Sequence, residues 1–128
     1  MQTKELRILL VGGDQETYEL VNNRLDSLHS PLAPVLWCND YTLALGLIDI
    51  SDYDLILVDA QQSFDAACDW LEDARGQGYE PPFIALIRDH DSQLGQQTLE
   101  AGANDFIATR DLQAYMWLRT INYVVDRY

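Results

Sequence analysis

The chain has 128 residues, enough for one globular domain with a real core and too short for two. Hydrophobic residues make up 48% and charged residues 23%, as in folded domains rather than disordered ones, and no apolar run approaches the roughly 20 residues of a membrane-spanning helix. A net charge of −13 repels phosphate backbones and anionic lipids, so neither direct nucleic-acid binding nor membrane binding is expected.

Met1 to Glu5 run straight into an apolar segment, without a basic start or a cleavage site, so no secretion signal is expected. Leu6 to Val11 is nearly continuous in apolar residues and ends at Gly12-Gly13, which predicts a buried parallel strand. Asp14 can cap a following helix, with Glu16 well placed near its N-terminus. Ser27 to Pro34 is rich in turn residues, and Val35 to Cys38 reads as a second strand. Asn39-Asp40 can cap a second helix, to about Ile48. Leu55 to Val58 is a third strand, ending at Asp59. Ser63 is the expected cap of a third helix that stops around Gly76 to Gly78, ahead of Pro81-Pro82. Phe83 to Ile87 is a fourth strand. A fourth helix runs from about Ser92, its expected cap, to Glu100, and Asp105 to Ala108 is a fifth strand. Asp111 opens a last helix that reaches Tyr128.

Short apolar strands alternating with helices require parallel pairing and crossover connections. The expected fold is therefore α/β, a five-stranded, doubly wound parallel sheet with helices on both faces. Function in such a sheet gathers at the carboxyl ends of the strands. Gly12, Gly13 and Asp14 fall there, as do Asp59, Ala60 and Gln61, Ile87, Arg88 and Asp89, and Thr109 and Arg110. A carboxylate at the rim of a buried strand, as at Asp59, suits a nucleophile or a metal ligand. Cys38 and Cys68 lie in apolar patterns far apart and read as buried free thiols of a reducing, cytoplasmic compartment. His29 and His90 have no partners at metal-ligand spacing, so no zinc site is expected.

Four stretches carry a resemblance to the response-regulator receiver family. They are Leu6 to Val11, Tyr53 to Asp59, Pro82 to Leu86, and Ala101 to Ile107 with its Ala-Gly-Ala-Asn-Asp turn. Their order and spacing match over nearly the whole chain, and the resemblance implies the flavodoxin-like fold of that family. It also implies that Asp59 stands at the position that accepts a phosphoryl group from a histidine kinase. In the family an acidic pair after the first strand holds Mg²⁺, a Ser or Thr after the fourth strand contacts the phosphate, and a Lys after the fifth pairs with the acceptor. An aromatic residue on the fifth strand reorients when the site is occupied.

This chain departs from the pattern at three places. Gly12-Gly13 replace the acidic pair, Ile87 the hydroxyl residue and Thr109 the lysine, with Arg110 where a proline usually follows. Asp59 and the aromatic Phe106 remain. Asp14 lies one residue beyond the acidic pair, which favours its capping role. Loss of one charge-stabilising donor costs a transition state roughly 3 kcal/mol, so efficient phosphotransfer is not expected, Mg²⁺ is expected to bind weakly at most, and the chain is read as a non-enzyme. Arg88 and Arg110 stand at the same rim and are candidate charge partners for Asp59.

The last helix carries more apolar residues than one face needs. Leu112, Met116 (or Tyr115), Leu118, Ile121 and Val125 form the stripe expected to pack on the sheet, leaving Trp117, Tyr123, Val124 and Tyr128. Grouped aromatics suggest an interface. Phe106, Tyr115, Trp117 and Tyr123 are the candidate contacts of a homodimer, the arrangement that the resemblance implies. The resemblance also implies a single domain at the N-terminal end of a longer signalling protein, with a C-terminal output domain of two-component or cyclic-dinucleotide type. The reading that follows is a protein-interaction and dimerisation module. Its alternative is a working phospho-acceptor served by a histidine kinase.

Overall fold

A computed structural model of the chain describes residues 7–26, 35–50, 52–89, 91–110 and 114–127. Five strands and five helices alternate without exception: β1 (Ile8–Val11), α1 (Gln15–Asp26), β2 (Leu36–Cys38), α2 (Tyr41–Ile50), β3 (Leu55–Asp59), α3 (Phe64–Gly76), β4 (Phe83–Ile87), α4 (Ser92–Ala101), β5 (Asp105–Ala108) and α5 (Ala114–Arg127). The strands form one parallel sheet in the order β2-β1-β3-β4-β5. Strand order reverses between β1 and β3, so their carboxyl ends open on the crevice where ligands gather in such folds. No described helix is long and apolar enough to cross a membrane.

β1, β3 and β4 are buried along their whole length, which is why they read as unbroken apolar runs rather than alternating ones. Alternate residues divide between two cores. Leu9, Val11, Ile56, Val58, Phe83, Ala85 and Ile87 face α2, α3 and α4 through Ala44, Trp70, Leu71 and Ala101. Ile8, Leu10, Leu55, Leu57, Ile84, Leu86 and Ile107 face α1 and α5 through Val21, Leu25, Trp117, Ile121 and Val124. Each fully buried large side chain contributes about 1.5–3 kcal/mol of transfer free energy.

α5 corrects the sequence reading. Its buried face is Trp117, Ile121 and Val124, spaced i, i+4, i+7, with Val125 packed at its margin. Leu118, placed on the inner stripe from sequence, is only half-buried. The stripe is rotated toward Trp117 because the larger ring removes more apolar area from water than Leu118 can. Leu112, the Tyr115 side chain and Tyr128 lie outside the described residues.

Helix starts follow the acidic residues rather than the serines. Asp14 Oδ1 accepts from the Thr17 amide at 2.9 Å, and Asp40 Oδ1 accepts from the amides of Thr42 and Leu43. Asp91 does the same for Gln93 and Leu94, so it, not Ser92, caps α4. Ser63 flanks α3 but makes no side-chain capping bond. A carboxylate satisfies the free amides with a charge-assisted bond, and its charge also suits the positive end of the helix.

Arg75 staples the opposite end of the sheet. Its guanidinium donates to the carbonyls of Gly102, Tyr79 and Pro81 and to Asn104 Oδ1, and its charged carbon lies 4.1 Å from the centre of the Phe83 ring. Asn104 Oδ1 also accepts from the Phe83 amide. This network fixes α3 to the approach of β5.

Candidate functional site

Asp59 ends β3, in register with Leu86 on β4. Although it stands at the rim, the residue is only 1% exposed. Its Oδ1 accepts from Gln61 Nε2 at 2.7 Å. Gln61 Oε1 in turn accepts from the Thr109 hydroxyl at 2.7 Å. The end of β3 is thereby tied through one carboxamide to the turn after β5. Asp59 Oδ2 is buried with no hydrogen-bond partner.

Burial pushes the Asp59 carboxyl above the ordinary aspartate range. The Gln61 carboxamide and the backbone amides of Gln62 and Gln61 oppose that shift by favouring the ionised form, while the charge of Asp14 adds to it. Asp14 moves the other way, held low by the Thr17 amide and hydroxyl. Two carboxylates of one site thus have their affinities for protons pushed apart by desolvation at one and hydrogen bonding at the other.

The Gly12-Gly13 turn has a backbone of its own. Both residues have positive φ, +77° and +84°, a region that side-chain-bearing residues rarely adopt. A Cβ at Gly12 would lie 2.9 Å from the Tyr41 hydroxyl, and one at Gly13 would lie 3.3 Å from Thr17. The Gly12 carbonyl accepts from Trp37 Nε1, and the Tyr41 hydroxyl donates to the Asp59 carbonyl at 3.2 Å. Aromatic residues therefore fill space around the turn, and burial, with the charge of Asp59, raises the Tyr41 hydroxyl above its usual range.

Of the other predicted site residues, Ile87 is buried and belongs to the core beneath α2, α3 and α4; its side chain packs there. Thr109 reaches the site through Gln61. Arg88 and Arg110 do not serve as charge partners of Asp59, contrary to the expectation from sequence. Arg110 pairs with Asp89 at 3.2 Å, both side chains being about two-thirds exposed, and Arg88 is exposed. An arginine at this rim keeps its hydration by staying outside, whereas reaching Asp59 would strip water from both charges and displace Gln61. Gln61, Gln62, Thr17, Arg88, Thr109 and Arg110 bound a cavity of about 300 Å³. Asp59 is not part of its lining.

Phe106 is half-buried and packs on the core of the α4 side. Its ring lies against Gly95, where an added Cβ would come within 2.3 Å of it. Tyr123 is 53% exposed. Trp117, proposed from sequence as an interface contact, is fully buried, so it is a core residue and not part of an accessible surface. The side chain of Tyr115 lies outside the described residues, as do His29 and His90. Both cysteines are free and half-buried.

Sequence reasoning placed Gln61 at the rim without giving it a role, and it missed Tyr41. The signal for Gln61 was present: a long neutral side chain, two residues after Asp59, can fold back on the carboxylate. Tyr41 had no comparable signal, because its role depends on α2 crossing over the glycine turn.

The donor set is a poor one for Mg²⁺. That ion is commonly held by one or two carboxylates together with waters and phosphate oxygens. Here one Asp59 oxygen is taken by Gln61, Asp14 is engaged at the start of α1, and the turn between them is glycine. Among the described residues no group of three or more His, Cys, Asp or Glu side chains is arranged to hold a metal ion.

No family model matches this sequence, and no curated protein matches it. Solved structures do match the fold. The receiver domain of the Francisella response regulator 1452 superposes with a TM-score of 0.78 at 18% identity, covering 96% of this chain and 98% of that one. NtrX from Brucella abortus, in complex with ADP, gives 0.79 at 18% identity, with 97% of this chain matching only 27% of that longer protein. The receiver domain of the sensor histidine kinase PA1611 from Pseudomonas aeruginosa, with a magnesium ion coordinated in its active-site cleft, gives 0.72 at 22% identity over 96% and 99%. The chain therefore has the fold of the response-regulator receiver domains, as the resemblance in its sequence implied.

Proposed function

We propose that this chain is an atypical receiver, a protein-interaction module without efficient Mg²⁺-dependent phosphotransfer and without enzymatic activity of its own. One observation carries the reading: the carboxylate at the acceptor position is buried beneath Gln61 and holds a carboxamide where phosphotransfer needs a cation and charged donors. A phosphoryl group arriving there would meet glycine, a packed isoleucine and an engaged threonine. Electrostatic stabilisation of the transferring group is most of what a protein contributes to such a reaction.

The module's partners are other proteins. Phe106 and Tyr123 stand on the β5 and α5 side and are the candidate contacts of a homodimer. A place within a longer signalling protein is supported by NtrX, in which a similar unit matches about a quarter of the chain. A phospho-acceptor served by a histidine kinase is the competing reading, favoured by the retained Asp59 and by Asp14 near it.

The deciding experiment adds a small phosphoryl donor, and separately beryllofluoride, each with Mg²⁺, and reads intact mass and amide NMR shifts. We expect no adduct and no saturable shifts. An adduct at Asp59, or shifts spreading from Asp59 to Phe106, would overturn the proposal in favour of a working acceptor.

A further inference from the structure

The two sharpest polar contacts at the rim belong to one side chain. Gln61 gives its amide hydrogen to Asp59 and takes the Thr109 hydroxyl hydrogen, both at 2.7 Å. Donor and acceptor ends of the carboxamide are thus assigned by their partners: a carboxylate oxygen can only accept from Nε2, and the remaining oxygen is left for the hydroxyl. Thr109 is itself fixed, its amide donating to the Ile87 carbonyl at 2.7 Å. Beyond Gln61 lies the cavity; on its inner side lies a carboxylate 1% exposed.

We propose that Gln61 is an intramolecular plug, an autoinhibitory contact that closes Asp59 to cations, phosphoryl donors and water while bracing the end of β3 against the turn after β5. The inference rests on the reading of Asp59 as an acceptor position, and adds the device that keeps it shut. In this chain a neutral side chain supplies the bridge between the two strand ends. Thr109 is the positioning residue: it holds the far end of the carboxamide so that the near end stays on Asp59. The two bonds together set the closed-to-open ratio at about thirtyfold, taking each at its ordinary net strength.

Carboxyl labelling tests this directly. The intact chain is treated with a water-soluble carbodiimide and glycine ethyl ester, and modification at Asp59 is followed by peptide mass spectrometry, with the exposed Asp52 as internal reference. In the wild type, Asp59 is expected to label far more slowly than Asp52. Gln61→Ala should raise its rate about thirtyfold, Thr109→Val should give an intermediate rise, and Thr109→Ser, which keeps the hydroxyl, should restore the slow rate. Near-UV circular dichroism establishes that each variant is folded. Labelling of Asp59 at the Asp52 rate in the wild type, or at the wild-type rate in folded Gln61→Ala, would overturn the plug.

The outcome separates from that of the proposed function. A wild type silent to beryllofluoride whose Gln61→Ala variant labels no faster removes the plug and leaves the interaction module standing. A wild type that takes a phosphoryl group while Gln61→Ala labels faster removes the module reading and leaves the plug as a gate.

Discussion

Asp59→Asn should stabilise this protein near neutral pH, an unusual direction for a substitution at the most informative residue of a site. The wild-type carboxylate is buried, with Oδ1 bonded to Gln61 and Oδ2 without a partner. Leaving a buried polar group unsatisfied costs about 1–3 kcal/mol, and more when it is charged. Asparagine keeps the shape and the acceptor for Gln61 but removes the charge. Its amide still lacks a partner on the Oδ2 side, so only part of the cost is recovered, about 1–2 kcal/mol.

The pH dependence follows from the direction of the shift. Burial raises the folded-state value of Asp59, so the folded chain holds the proton more tightly than the unfolded one. The stabilisation from that proton is fully present below the unfolded value, near 3.9 for aspartate, and is lost as pH rises through the folded value. The advantage of Asp59→Asn is therefore largest near neutrality and shrinks on acidification toward that unfolded value. Urea denaturation of both proteins across this range measures it, since carboxylates that do not interact with Asp59 cancel in the difference. Equal stability near neutral pH, a less stable variant, or an advantage that grows in acid would refute the reasoning.

Four further substitutions test the packing and the surface. Trp117→Ala should cost about 3–5 kcal/mol in urea unfolding, because the side chain is fully buried between α5 and the sheet; a loss below about 1 kcal/mol would mean the residue is surface after all. Gly46 of α2 and Gly95 of α4 should respond with opposite signs. Gly95→Ala would drive a methyl into the Phe106 ring and should lose about 1–3 kcal/mol, whereas Gly46→Ala meets nothing within 4 Å and should gain up to about 1 kcal/mol from helix propensity, both read by thermal and urea unfolding. Arg110→Ala breaks only the exposed pair with Asp89 and should change stability by less than about 0.5 kcal/mol.

The architecture was largely legible in the sequence because burial writes itself into composition. A parallel strand covered on both sides must be apolar at consecutive positions, and Leu9-Leu10-Val11, Leu55 to Val58 and Phe83 to Ile87 are. The glycine turns and acidic caps then fixed where helices begin. Trp117 was misplaced for a physical reason. Aromatic or aliphatic residues stand at 115–118, 121 and 123–125 of α5, so more than one stripe fits the period, and packing against α1 and the sheet decides the rotation by the area each face can bury. Ser92 was misread because Asp91, beside it, takes the free amides of α4 with a charge that serine lacks. Ser63 does stand at the N-cap position of α3, without a side-chain bond.

The site divides along a different line. The residue types at the rim could be read one by one: Gly12 and Gly13 carry no side chain, Ile87 no polar group and Thr109 no charge. The contacts around Asp59 could not, because they join distant segments. Gln61 and Thr109 are 48 residues apart, and Tyr41 reaches Asp59 from α2. Glycines with positive φ bring the first turn close enough for Tyr41 to pack over it, and a carboxamide is bonded to the buried Asp59 carboxylate. Placing a single acidic residue at Gly12 would therefore not build a cation site: its Cβ would collide with the Tyr41 hydroxyl, and the backbone would first have to leave the left-handed region that only glycine holds without strain.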